Sequence, residues 1–297
     1  MSASPPTSRV VAVLEALAAS DRGVAASALA RSLGLSTSTL SLILSTLREA
    51  HYIERLPDRS YRLGTGLMRL LTALQGRFPV LPAANDELAQ LAVTFSCSAS
   101  LSRVAPGGQE VLLTVGATEQ MGISPGVSVP VDPPHGTMTM AWRSPEEIDR
   151  WLSRVPAAIR QTYQNGLSQV RQLGYAVYGI RPETGSMIDH LRDLLISIQA
   201  EHNADHLHDQ LDQLAAYVGS RIYAAAELST DTRKDVSHLI APIFAVDGQP
   251  RYLISLHLMK RAMPADELSA HVHALLNSAR ILTDQIGGKV PKVPAFR

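Results

Sequence analysis

The stretch LARSLGLSTSTLSLILSTL, residues 29–47, limits what this chain can fold into more than any other. Two short apolar-periodic segments are separated only by Gly34, Leu35 and Ser36. Glycine suits the left-handed residue that closes a helix. Ser36 can offer its oxygen to amides two and three residues on, which starts the next helix. That helix is expected over residues 37–50. Leu40, Ile43, Leu44 and Leu47 recur at i, i+3, i+4 and i+7, one buried stripe. The opposite face carries Ser38, Leu42, Ser45 and Glu49, with Ser41 beside them. A short helix, a tight turn and a second helix with a small polar outer face have helix-turn-helix spacing. Val10, Val11, Val13, Leu14 and Leu17 predict a preceding helix with Ser8 as its N-cap. After the third helix, HYIERL and SYRLG around PDR predict a hairpin, and a hairpin in that place is a wing.

Charge distribution supports the same reading. The chain of 297 residues is neutral overall, yet residues 1–70 carry eight arginines against five acids. A basic end on a mildly acidic body suits a polyanion partner, here double-stranded DNA. Hydroxyls both donate and accept, so they suit phosphates and base edges alike. The candidate DNA contacts are Ser36, Thr37, Ser38, Thr39, Ser41, Leu42, Ser45, Arg48 and Arg59, with Arg55 and Arg62 on the wing strands. Ser36 taken alone reads as a simple cap. The turn, the wing and the arginines together read as a DNA-binding unit.

Beyond the wing, residues 64–74 predict a linker helix, broken by Pro79 and Pro82. A helix from about Ala83 to Phe95 follows, then a hairpin of SASLSRVA and EVLLTVGAT about PGGQ, and a strand at VSVPV. Ser144, Pro145 and Glu147 form a capping box with proline at the first helical position. A helix over residues 157–173, a strand at YAVYGI, a hairpin of SHLIAPIFAV and RYLISLHLM, and a helix over residues 265–286 complete the chain. Hairpins rather than regular crossovers argue for an α+β domain on an antiparallel sheet. Cys97 is the single cysteine, so no disulfide framework exists within one chain. No apolar run approaches the roughly 18 residues of a membrane span. MSASPPTSRVV has no signal-peptide pattern, so a cytoplasmic protein is expected, without membrane association.

The ordered pieces ALARSLGLSTSTLSLILSTL, YRLGTGLMRL, VSVPVDPPHGTMTMAW, VRQLGYAV and HLIAPIFAVDGQPRYLISL resemble the isocitrate lyase regulator (IclR) family of bacterial transcription factors. The resemblance implies a winged helix-turn-helix over residues 1–63, a linker helix over 64–80, and a GAF-like effector-binding domain over 81–297. It also implies a homodimer or dimer of dimers that responds to a small molecule, with repression favoured over activation, and no catalysis and no cofactor. The departures are specific. Thr37 and Leu42 stand where the family often has cations, His51 where it has glycine, and Gly136-Thr137-Met138 where it has glycine-lysine-alanine. Residues 186–226 form an insertion with two apolar helical stripes.

The resemblance places effector-binding residues at Gly136, Thr137, Met138, His238, Ser255 and His257, with Met140 as an apolar wall. Ser255 and His257 are two apart and share one strand face. Hydroxyl and imidazole on an apolar floor suit a small carboxylate or an oxo or hydroxy compound; otherwise they line an ordinary half-polar sheet face. His202, Asp205, His206 and Asp209 lie at i, i+3, i+4 and i+7 in the insertion. They are either a metal-binding arm, which would make the protein a metal sensor or a hydrolytic enzyme, or, as preferred, the solvated face of an amphipathic helix. GISPG, residues 122–126, matches a nucleophile-elbow pattern, but the valines and prolines after it forbid the required helix. Cys97 has no evident base partner and reads as a small buried residue.

Overall fold

The computed structural model describes residues 5–20, 22–116, 124–133, 135–180 and 221–291. The chain divides into two compact units, Met1–Pro79 and Val80–Arg297.

The first unit contains α1 (Pro5–Ala18), α2 (Ala26–Ser32), α3 (Thr37–Glu49), β1 (Ile53–Arg55), β2 (Tyr61–Leu63) and α4 (Met68–Arg77). Val13, Leu17, Leu29, Leu40, Leu44, Leu47 and Ile53 make its core. Helix α3 starts where the sequence says it should, because the Ser36 oxygen accepts from the Thr39 amide at 3.2 Å. The hairpin pairs Ile53 with Leu63 and Arg55 with Tyr61. Its turn is closed by Asp58, whose carboxylate accepts from the Ser60 amide at 2.9 Å and the Ser60 hydroxyl at 2.6 Å. Those bonds hold the Asp58 carboxyl below the usual carboxylate range. A third strand-like segment was not legible in the sequence: Val24 exchanges both backbone hydrogen bonds with Tyr61.

The second unit contains α5 (Leu81–Phe95), β3 (Ser98–Ala105), β4 (Gly108–Val115), β5 (Ser128–Pro130), α6 (Thr137–Met140), α7 (Pro145–Leu152), α8 (Ala157–Leu173), β6 (Ala176–Gly179), β7 (Arg221–Ile222), α9 (Ala225–Leu228), β8 (Lys234–Phe244), β9 (Pro250–Met263) and α10 (Ala265–Gln285). The described strands form one antiparallel sheet in the order β5-β4-β3-β9-β8-β6-β7. Helices α5 and α10 pack against β3, β4, β8 and β9, over the face carrying Leu101, Leu239, Ile243 and Leu256, which are fully buried. The opposite face carries Tyr178, Ile240 and Leu253, packed with Met138, Met140 and Trp142 and with residues of α7 and α8. The capping box at α7 is present, with the Ser144 oxygen accepting from the Glu147 amide.

Several boundaries differ from the sequence reading, for identifiable reasons. Helix α1 begins at Pro5, so Ser8 lies inside it; proline fits a first helical turn, where no intrahelical amide bond is needed. The same rule places Pro82 inside the first turn of α5 rather than ahead of it. Arg221–Ile222, in the expected helical insertion, is a strand paired with Tyr178 and Gly179. The insertion's residues 186–220 lie outside the described residues.

His51, which stands where the resembling family has glycine, has φ +61°. That left-handed backbone is costly for a residue with a Cβ. Gly66 packs so closely under it that a Cβ there would sit 2.6 Å from the Ala50 carbonyl oxygen. Replacing His51 with glycine is therefore expected to stabilise the first unit by about 1 kcal/mol, and Gly66→Ala to destabilise it. Hydrogen exchange of the α3 amides measures both; slower exchange in His51→Gly is the expected result.

Candidate functional site

Two polar surfaces stand out, one in each unit. In the first, α3 presents Ser38, Ser41, Leu42 and Arg48 to solvent, and Leu42 is 72% exposed. The hydroxyls of this helix fall into two groups. Ser36 donates to the Thr39 hydroxyl at 2.9 Å and lies 3.1 Å from the Ser38 oxygen, so this trio closes the helix start. Ser45 donates to Glu49 at 3.3 Å. Thr37 and Ser41 have no hydrogen-bond partner among the described residues and border a recess of about 270 Å³ with Ser45, Arg48, Ala26 and Tyr61. That recess lies between α3 and wing strand β2, so one strip of surface is shared by helix and wing. Around it, Arg62 pairs with Glu54, and the Arg55 guanidinium sits 5.8 Å from the Tyr61 ring centre. Arg48 and Arg59 are exposed and have no acidic partner among the described residues, and Arg59 occupies the wing tip in a left-handed conformation. Their charge is free for a phosphate.

In the second unit, strand register gathers the polar residues. Ser98 lies opposite His257, and Ser100 opposite Ser255, across β3 and β9. His257 lies opposite His238 across β9 and β8, and His238 opposite Tyr178 across β8 and β6. Opposed residues share a face, so four strands place one imidazole-hydroxyl cluster on the α6 side. The Ser100 hydroxyl lies 2.8 Å from His257 Nε2. The Tyr178 ring stacks on His238 with centres 4.3 Å apart and planes 9° apart. The two imidazole centres are 6.1 Å apart. Burial drives both imidazoles neutral: His238 is lowered to about 3, with the charges of His257 and His135 adding to the effect, and His257 to about 4. Among the described residues four buried side-chain atoms have no hydrogen-bond partner, Trp142 Nε1, Gln249 Oε1, His257 Nδ1 and the Thr137 hydroxyl oxygen, and the last two belong to this face. Each such atom costs about 1–3 kcal/mol, a cost that a bound polar molecule would offset. Gly136, with φ +87°, turns the chain into α6, and a Cβ there would meet the Val131 carbonyl oxygen at 2.4 Å.

Residues 6–57 match the family model of the IclR helix-turn-helix domain. The N-terminal unit contains an IclR helix-turn-helix domain. No curated protein sequence matches the chain. Among solved structures, IclR from Thermotoga maritima is 15% identical, with 95% of this chain and 98% of that chain covered and a TM-score of 0.53. The two share their fold. An IclR transcriptional regulator from Alicyclobacillus acidocaldarius is 19% identical, covering 96% of this chain and all of that one, with a TM-score of 0.49. An IclR homolog from Microbacterium hydrocarbonoxydans, complexed with 4-hydroxybenzoate, is 17% identical over 95% of this chain and 99% of that one, with a TM-score of 0.46.

Within the IclR helix-turn-helix, the structure divides the nine candidate residues. Thr37, Ser38, Ser41, Leu42, Arg48 and Arg59 are exposed; Ser36 and Thr39 are engaged in the cap, and Ser45 is half-buried. Of the expected effector residues, His238, Ser255 and His257 share one sheet face, and Gly136, Thr137 and Met138 lie at α6 over that face. Sequence reasoning missed Ser98, Ser100, Tyr178 and His135. The alternation of serine at residues 98, 100 and 102 was a usable signal, since period two marks one strand face. GISPG forms no nucleophile elbow, because strand β5 and not a helix follows Ser124; Gly122 and Ile123 lie outside the described residues. His202, Asp205, His206 and Asp209 also lie outside them. Among the described residues no group of side chains is placed to hold a metal, and no helix is long and apolar enough to cross a membrane. Burial pushes the Cys97 thiol up to about 11, which disfavours the thiolate.

Neutral buried histidines set a pH dependence. Above about pH 6.5 both folded and unfolded imidazoles are neutral, and folding costs no proton. As the pH falls below that value the unfolded chain binds protons that the folded cluster refuses until about pH 4 for His257 and about 3 for His238. The unfolding free energy of the second unit is therefore expected to fall steadily between pH 6.5 and pH 4. Denaturant titrations followed by Trp142 and Trp151 fluorescence read this; a flat profile would contradict it.

Proposed function

We propose that this protein is a ligand-responsive transcription regulator that binds operator DNA through its IclR helix-turn-helix, acts in the cytoplasm and catalyses no reaction. The observation that carries the reading is the strip shared by α3 and the wing, where Thr37, Ser41, Leu42, Arg48 and Arg59 offer hydroxyls, one apolar contact and unpaired charge. Arg48 and Arg59 would hold phosphates, the hydroxyls phosphates or base edges, and Leu42 a thymine methyl group. With few cations on α3, the reading relies on contacts to bases more than on charge.

The same proposal assigns the imidazole-hydroxyl cluster to a small effector. Gly136, Thr137, Met138, His238, Ser255 and His257 would contact it. Met68, Leu70, Leu71 and Leu74 on α4 are all exposed, and no residue of α4 is buried. A second copy pairing through this helix would bury them and set the spacing of two recognition helices, as a dimer or a dimer of dimers. An effector that changes that spacing lowers operator affinity, which gives repression relieved by ligand.

Each phosphate contact removed is expected to lower the slope of log affinity against log salt by about 0.9. Arg48→Ala and Arg59→Ala should each show that loss and weaken operator and random DNA alike. Leu42→Ala should leave the slope intact and reduce the preference for operator over random DNA. Fluorescence anisotropy across a salt series measures all three, and unchanged slopes in both arginine variants would refute the assigned interface.

A further inference from the structure

We propose that the imidazole-hydroxyl cluster recognises an uncharged hydroxyl-bearing compound, an alcohol or phenol, and rejects free carboxylates. This rests on the effector reading above and names the chemistry of its ligand.

The hydrogen-bond directions carry the argument. Ser237 donates its hydroxyl proton to the Tyr178 carbonyl oxygen at 3.1 Å. Its oxygen also lies 3.0 Å from His238 Nδ1, so it must accept there, and Nδ1 carries the proton. His238 Nε2 is then a lone pair, an acceptor that asks its ligand for a donor. His257 Nε2 is taken by Ser100, which leaves Nδ1 buried and unpartnered. With centres 6.1 Å apart, the rings are close enough for one small molecule to reach both. A hydroxyl meets this demand: its one proton goes to His238 Nε2, and its oxygen accepts from His257 Nδ1–H, with Ser100 then donating to His257 Nε2. A carboxylate only accepts, and would set its charge against the His238 lone pair.

Charge balance agrees. Among the described residues, the titratable groups around His238 are His257 on β9, His135 before α6 and Tyr178 on β6. Burial holds the three imidazoles toward neutrality and the phenol toward protonation. Among the described residues, Arg171 is committed to the Ala141 and Arg143 carbonyls and Lys234 to those of Thr230 and Thr232. A buried anion without a cation is strongly disfavoured. A carboxylate would enter only by placing a proton on an imidazole, which makes its affinity rise about tenfold for each unit the pH falls.

The test is calorimetry on the full chain at pH 8 and pH 6, with ligands paired by skeleton: benzyl alcohol and benzoate, 4-hydroxybenzyl alcohol and 4-hydroxybenzoate, propane-1,2-diol and lactate. The expected result is that at least one alcohol binds with the same affinity at both pH values and no proton uptake. Its carboxylate partner should bind at least tenfold more weakly at pH 8. His238→Phe, which keeps the ring stack on Tyr178 and removes the acceptor, should abolish alcohol binding while far-UV and near-UV circular dichroism stay those of the parent. The proposal is overturned if no alcohol binds, if the carboxylate binds as well as its partner at pH 8 without proton uptake, or if alcohol binding survives in a folded His238→Phe. DNA affinity measured with the same ligands separates the two readings. An alcohol that binds without changing DNA affinity would sink the effector role and leave the ligand class standing. A carboxylate that binds and releases DNA would do the reverse.

Discussion

Strand β9 is paired on both sides, with β3 and with β8, and this double pairing governs the second unit. Side chains along a strand alternate between faces, so a slip of one residue in either register would move every one of them across the sheet. With the register as it stands, Leu256, Leu101 and Leu239 fall under α5 and α10, while Ser100, His257 and His238 fall on the α6 side. The apolar face fixes the register because its burial is complete; the polar face inherits its geometry from that choice. The cluster of imidazoles and hydroxyls is thus a consequence of core packing on the other side of the same strands.

The cluster is costly to keep. Two histidines held neutral, an unpartnered Nδ1 and an unpartnered threonine hydroxyl are features that a purely structural sheet face would replace with apolar side chains. A polar molecule bound there would offset that cost. In the first unit the same kind of argument points to solvent-facing α3. The exposed Leu42 among serines adds little to the core there, and Arg48 and Arg59 make no ion pair among the described residues.

Much of this was legible in the chain itself. The start of α3 followed from Ser36, the α7 cap from Ser144 and Glu147, and the β8–β9 hairpin from the turn at Asp247 and Gly248, because caps and tight turns are local events. Helix starts at Pro5 and Leu81 were misplaced, the first because Ser8 was taken as its cap and the second because Pro82 was taken as a breaker rather than as a first-turn residue. The Val24 bridge to Tyr61 and the pairing of β3 with β9 had no local signal, since they join residues far apart in sequence. The family resemblance pointed to His257 and Ser255, and the serine alternation could have put Ser100 on one face of its own strand, but no local signal brought these strands together. His51 in its left-handed conformation shows how a position that favours glycine can hold another residue when the surrounding turn determines the backbone.

The central claim is that the exposed strip of α3 and the wing reads DNA sequence. The most direct measurement is a binding titration of the intact protein against the DNA upstream of its own gene and against random DNA of equal length, at two salt concentrations. The account predicts selective binding to the upstream DNA with a shallow salt dependence, because base contacts by the hydroxyl face and Leu42 outweigh phosphate contacts. Equal affinity for both DNAs, or a preference that vanishes as salt rises, would contradict it.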